Sequence, residues 1–585
     1  MRSVIALLAL WFLALSPVWA QENLSSEAIM ALLGITDIEE ADQYEVERLS
    51  DLLEKPLKLN LASASRLSSC GLFTAYQTAS IIDYRLRHGD ILSYAELSLL
   101  DGFSEDHVRL VKPFVSLASG ELPSVRSVGM QHELRVRSGI RPGESGQWNY
   151  ALKYSLESSA GVSAGVSMSR PSSAAGGLPE QFSGSVEYDF RKFPLRLIAG
   201  DFNARFGQGL ALWNGMSMSG LSSPSTFMRR SSGFSRSSSF TGNYAMTGVA
   251  GSAMLNRLTF NASVAFSGIR SARASPKKIT MLPIMNLIWN FRNGQVGATH
   301  YMEFRDDLAD MKTSVDMAWC ISGTDVFAEL AYDWVAKVPA GLAGVSFPVG
   351  ESFRSAAMLR MYPSAYNAER SGAQRSTTKC SNEYSVTLAG EYLSPDRLHS
   401  AALSVDMAYF PEPKSKISTD DFQVKVLASW QWTGENMSLK MRLGERVRSW
   451  GVSNRTDLRT DISMPLGEFV LNMRANLLYG RSLAGLVYCE GGYVGETLSS
   501  YLRCGFFCAD NWDDRIYVYE RDAPGGFNVP AMYGRGMWTA ATATWKPCRW
   551  LKLYARASFT AYPFMSAEKK KPGRAELKLQ GVFSF

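Results

Sequence analysis

The residues from which enzymes assemble reactive centres are thinly spread along this chain. Five histidines, His88, His107, His132, His300 and His399, stand at separations that match no zinc-ligand spacing, so metal-assisted hydrolysis is not expected. Gly215-Met-Ser-Met-Ser-Gly220 sets serines between glycines, but with the wrong spacing for a nucleophile elbow and without the strand-turn-helix that would frame one. Two acidic clusters, Asp306-Asp307-Leu308-Ala309-Asp310 and Asp510-Asn511-Trp512-Asp513-Asp514, offer carboxylate oxygens of the kind that hold calcium. Neither has the ligand order of a calcium loop, and both read as solvated surface loops. Seven cysteines, Cys70, Cys320, Cys380, Cys489, Cys504, Cys508 and Cys548, contain no C-x-x-C pair and read mostly as small buried apolar residues. Within that set Cys504 and Cys508 share a strand face, and Cys489 can meet Cys504 from a neighbouring strand. No catalytic residue, metal or cofactor is expected, and the chain reads as a non-enzyme.

The elements that position these residues announce a membrane barrel. Arg2, the apolar run 4–15 and the ending Ser16-Pro17-Val18-Trp19-Ala20 form a secretory signal peptide over residues 1–20, cut after Ala20. Beyond it no stretch approaches 18 consecutive apolar residues, which excludes helical membrane spans. Alternation takes their place. Over residues 551–561, Leu551, Leu553, Ala555, Ala557, Phe559 and Ala561 share one face, while Lys552, Tyr554, Arg556, Ser558 and Thr560 share the other. Residues 437–443, 469–477, 134–137 and 195–199 follow the same pattern, and the last strand alternates to the terminal Phe585. A soluble sandwich or propeller also alternates. The terminal Phe resembles the signal read by the outer-membrane assembly machinery, and together with the leader it favours a barrel. Residues 118–585, at roughly 20 per strand and connection, make a transmembrane antiparallel β-barrel of about 22–24 strands. The fold class is thus mainly β, with a small all-α N-terminal domain, and the expected location is the cell outer membrane, among lipid and lipopolysaccharide.

Residues 21–117 have a 3.6-residue period instead. Helices are expected over 26–33 and 38–53, ended by Pro56, followed by four short helices paired by tight turns. The stretch 57–117 carries Asn60 followed by Ala62-Ser63, Ile82-Asp83-Tyr84-Arg85 with Gly89, then Leu97, Gly102 and the exit Lys112-Pro113. In these it resembles the tandem helix-hairpin-helix domain of ComEA-type competence proteins, which implies DNA binding without sequence preference. In that family a Gly-apolar-Gly turn brings backbone N–H groups close to a phosphate. Here the first turn is Leu72-Phe73-Thr74, without either glycine, and the second, Gly102-Phe103-Ser104, keeps one. Leu72, Phe73, Thr74, Gly102, Phe103, Ser104 and Lys112 are therefore the candidate contacts to a nucleic acid or protein partner.

Charge divides the chain. Residues 21–117 hold eight Lys or Arg against sixteen Asp or Glu, the wrong sign for phosphate binding by counterion release. Residues 118–585 hold 52 basic against 39 acidic residues. The opposite signs let the acidic domain dock at the barrel mouth, or make a lumen lined by Arg135, Arg137, Arg196, Lys440, Arg442 and Arg474 attractive to anions. Segments 203–241, 364–381 and 510–533 alternate weakly and read as extracellular loops or inward constrictions, with 207–215 as a lumen element. The function expected first is an outer-membrane pore whose periplasmic helical domain gates the lumen or recruits a periplasmic protein. Two alternatives stand beside it: a DNA binding or uptake component, and an assembly or secretion scaffold without an open pore.

Overall fold

The structure is a computed structural model that describes residues 21–35, 43–119, 129–142, 147–158, 160–171, 177–190, 193–215, 223–237, 245–267, 279–305, 307–413, 420–449, 454–565 and 572–585. The signal peptide therefore lies outside the described residues, as does the start of the helix expected at 38.

Six helices open the described chain: α1 (Gln21–Leu33), α2 (Gln43–Glu54), α3 (Ala64–Ser69), α4 (Ala75–His88), α5 (Tyr94–Leu99) and α6 (Glu105–Val111). The last four start where a Ser or Thr can cap them. Ser63, Thr74, Ser93 and Ser104 each accept a hydrogen bond from the N–H three residues on, and Thr74 with Gln77 completes a capping box. Two parallel strand fragments, Leu57–Lys58 and Val115–Ser116, tie the two ends of this four-helix stretch together. Asn60 pins it from inside. Its buried amide donates to the carbonyls of Ile91 (3.0 Å) and Leu117 (2.9 Å) and accepts from Ile91 N–H (2.9 Å). Around that anchor Leu49, Leu59, Leu67, Leu72, Phe73 and Phe114 are fully buried in a core of their own.

From Met130 onward the chain is one closed antiparallel barrel of 24 strands. The strand Arg574–Ser584 closes the ring by pairing with Met130–Arg141, Leu577 opposite Ile140. A further short strand, Gly233–Arg236, stays out of the ring and pairs only with the end of Leu195–Arg205. Strand 551–561 and the terminal strand lie where alternation puts them. At one end the connections are tight, as at Asn256 (φ +57°) and Asn293 (φ +60°), where Asn tolerates the left-handed conformation a hairpin turn requires. The first and last barrel strands have their free ends there, which makes it the periplasmic end. The opposite end carries the long connections 206–245, 363–382 and 510–533.

Outward positions such as Val136, Leu287, Leu330, Leu388, Leu477 and Leu577 are exposed apolar residues spread around the whole ring. A patch of that extent on every side is a lipid-facing belt, so the chain is an integral outer-membrane barrel. That belt also corrects the reading of the cysteines. Cys70, Cys320 and Cys380 are buried, but Cys489, Cys504 and Cys508 are exposed, because strand alternation turns them to the lipid side; Cys489 is the direct cross-strand neighbour of Cys504. Each acidic cluster is corrected at one residue, while Asp307, Asp510 and Asp513 are exposed as expected. Asp310 is buried against Lys312 (2.6 Å), and Asp514 accepts from the backbone N–H groups of Arg481 and Ser482 (both 2.9 Å).

Candidate functional site: the occluded lumen

Described residues of all three long, weakly alternating segments fold inward. Residues 206–213 enter first, held by Glu329 on the strand Thr324–Asp333: its carboxylate accepts from the N–H groups of Gln208 (2.7 Å), Leu210 (2.9 Å) and Ala211 (3.1 Å). Gly207 and Gly209 have positive φ, and a Cβ on Gly207 would lie 2.8 Å from a Glu329 oxygen. Only glycine lets this turn bring its N–H groups onto one carboxylate. Residues 363–382 lie against the first segment through Tyr366 O–H to the Leu210 carbonyl (3.0 Å), Gly372 N–H to the Gly209 carbonyl (2.9 Å) and Trp213 N–H to the Arg370 carbonyl (2.9 Å). Phe206, Leu210, Phe227, Phe234, Tyr362 and Tyr366 pack there into an apolar core inside the barrel. Residues 510–533 reach in from the other wall. Arg556 pairs with Glu520, Lys578 with Asp522 (2.9 Å), and Tyr519 and Phe527 pack on the core of the helical unit.

The helical unit itself sits in the periplasmic mouth of the barrel, where its acidic residues meet inward-facing basic ones. Glu47 binds Lys153 (2.7 Å), Asp51 binds Arg135 (2.8 Å) and Glu45 binds Arg205; in the reverse sense Lys55 binds Glu133 and Arg66 binds Glu157 (3.2 Å). The Glu47–Lys153 pair is 4% and 10% exposed, so it is shielded from screening. Burial pushes the Glu45 carboxyl up, but Arg205 and Arg48 outweigh it and hold it well below the usual carboxylate range. Backbone contacts add to these pairs: Ala75 N–H, at the start of α4, donates to the Gln295 side chain on the barrel wall (3.0 Å).

His107 lies in the same interface, packed on Phe73 and Phe103, with Nδ1 3.2 Å from the Arg230 guanidinium. Burial, and then the charge of Arg230, hold its pKa well below the ordinary value. The unfolded chain therefore takes up a proton near pH 6.5 that the folded one refuses. Stability of the seated domain is complete above about pH 6.5 and is expected to fall by up to about 1.4 kcal/mol per pH unit below it. Thermal melts of the helical signal between pH 7 and pH 5 measure this slope, and His107→Leu flattens it.

The hairpin-turn residues are placed as follows. Leu72 and Phe73 are fully buried, Thr74 caps α4, Gly102 (φ +84°) lies where a Cβ would strike the Tyr76 ring, Phe103 is buried and Ser104 caps α6. Lys112 lies over the Tyr94 ring at 5.3 Å. The six basic barrel residues all face inward and are engaged. Arg135 meets Asp51, Arg137 donates to the Pro524 carbonyl (3.0 Å), and Arg196 to that of Phe234 (2.6 Å). Arg474 binds Asp461 (2.6 Å), Arg442 lies 3.8 Å from Asp457, and Lys440 exerts its charge on Glu27 of α1. Glu329, Lys153, Arg205, Arg229 and Gln295 were not singled out from sequence. For Glu329 and Lys153 the available signal was a charge in the inward phase of an alternating strand.

No protein-family model matches the chain, and no curated protein does. Among solved structures, the copper transporter OprC is 10% identical over 78% of this chain and 80% of its own, with a TM-score of 0.39. A mutant of the ferric enterobactin receptor PfeA from Pseudomonas aeruginosa is 8% identical over 78% and 81%, with a TM-score of 0.41. The P pilus usher PapC translocation pore is 9% identical over 78% and 99%, with a TM-score of 0.33. These likenesses are loose, and the placement in the outer membrane rests on the closed ring and its apolar belt.

Proposed function

We propose that this protein is an outer-membrane channel whose lumen is closed from the periplasmic side by its own N-terminal domain, acting as a gate. The observation that carries this reading is the set of ion pairs between an acidic domain and a basic lumen wall, centred on Glu47–Lys153 and Asp51–Arg135. The domain derives, in this reading, from a helix-hairpin-helix unit, supported by the pairing of α3 with α4 and of α5 with α6 across tight turns. Its use has changed. The first turn is buried, and the Ala75 N–H that a phosphate would seek is taken by Gln295, which weighs against the DNA-binding alternative. Leu86, Leu92 and Leu99, 82%, 75% and 84% exposed, are where a periplasmic protein would engage the domain and unseat it.

The test is a charge reversal at the latch. Lys153→Glu sets two carboxylates together in a buried site, and losing such a pair costs about 3–5 kcal/mol. The variant is expected to raise channel open time in planar bilayers by more than about tenfold. The double swap Glu47→Lys/Lys153→Glu is expected to restore closure. A Lys153→Glu channel that stays as closed as the wild type would sink the gating reading.

A further inference from the structure

Between the helical domain and the inward loops lies a cavity of about 110 Å3, walled by Glu45 and Arg48 on the domain side and by Arg205, Trp213, Arg229 and Arg230 on the other. By the same measure a single water needs roughly 10–15 Å3, so the space holds several waters or one small polyatomic ion. Its charge is unbalanced: four guanidinium groups face one carboxylate, and that carboxylate is already engaged by both Arg205 and Arg48. Arg229 and Arg230 form no ion pair with any described residue. The Arg229 guanidinium lies 4.1 Å from the Trp213 ring centre and donates to the Gly372 carbonyl, while Arg205 stands 5.4 Å from the same ring. Arg230 donates to His107 Nδ1 (3.2 Å). The charge of Asp325 reaches Arg230, but that carboxylate is held by Arg354 (2.9 Å). Burial, with Arg205 and Arg375 close by and only partly offset by Cys380 and Glu45, pushes Arg229 down to about 10. On the same wall the buried Ser232 hydroxyl has no hydrogen-bond partner.

We propose that this cavity binds a small soluble oxyanion, of the phosphate or carboxylate class, between the guanidinium groups of Arg229, Arg230 and Arg205, with Ser232 Oγ as a further donor. Guanidinium forks match such oxyanions in a bidentate manner, and Trp213 fixes two of the three forks in place. The proposal concerns the seated domain, which supplies one wall of the cavity, and does not rest on that domain acting as a gate.

The experiment is calorimetric titration of the full-length protein with inorganic phosphate, in detergent micelles freed of lipopolysaccharide. Wild type is expected to bind saturably at one site, and Arg229→Gln and Arg230→Gln to bind at least tenfold more weakly, with Arg481→Gln, an exposed arginine, unchanged. Heat-modifiable mobility on gels confirms that each variant is a folded barrel, and Arg229→Lys, which keeps the charge, is expected to fall between wild type and Arg229→Gln. Absence of saturable binding, or equal binding by wild type and both glutamine variants, overturns the proposal. Binding that appears only when lipopolysaccharide is added back overturns it as well, because the anion would then be a lipid headgroup.

Discussion

Deleting residues 21–117 is expected to raise single-channel conductance in planar bilayers at least about tenfold over the full chain, on the grounds that barrels of 16–18 strands already enclose a water-filled channel. The ring of 24 strands is wider still, and the helical domain occupies its periplasmic mouth. The deletion removes Glu47, Glu45 and Asp51, which leaves Lys153 and Arg205 without these acidic partners and Arg135 with Glu133 alone, so the opened pore is also expected to favour anions. Residues 206–213, 363–382 and 510–533 stay inside and set the residual limit. Equal conductance of the two forms would mean that these segments close the lumen unaided, and the gate would lose its role.

The second large effect belongs to Glu329. Replacing it with Gln removes the charge and turns one of the two oxygens that accept from the N–H groups of Gln208, Leu210 and Ala211 into an amide donor facing them. Hydrogen bonds to a charged group contribute about 1.5–3 kcal/mol each, and a buried donor left without a partner costs about 1–3 kcal/mol. A net loss near 3 kcal/mol would raise the population of the released loop by roughly a hundredfold. Limited proteolysis of the folded barrel measures this as faster cleavage near residues 206–213. A cleavage rate equal to that of the wild type would show that Tyr366 and Gly372 hold the loop without the carboxylate.

Much of the architecture was legible because barrel strands repeat a simple rule. The alternation at 551–561 assigns each side chain to lipid or lumen, and the inward phase of Arg135, Arg196 and Arg474 follows from it. The helices were legible through caps and period, with Thr74 and Gln77 as the plainest pair. Asp310, Asp514 and the lipid-facing Cys489, Cys504 and Cys508 were misread for one reason: their burial depends on the wall or loop they face, which local composition does not encode. Asp310 finds Lys312 within its own strand, Tyr301 of the neighbouring strand donates its O–H to the same carboxylate (2.7 Å), and the ring of Tyr366, on an inward segment, lies 5.3 Å from the Lys312 ammonium.

The sequence by itself determined a closed membrane barrel, a helical domain of opposite charge before it, and the segments with too little alternation to form wall. Those features are local, set by a period of two, a period of 3.6 and the sign of the side chains. Only the tertiary structure decided that the domain sits within the mouth, that the loops turn inward, and that Glu47 meets Lys153 across 106 positions of chain. Contacts of that kind depend on ring closure, which brings residues together at separations no local pattern records, and on a lumen wide enough to be filled from both ends.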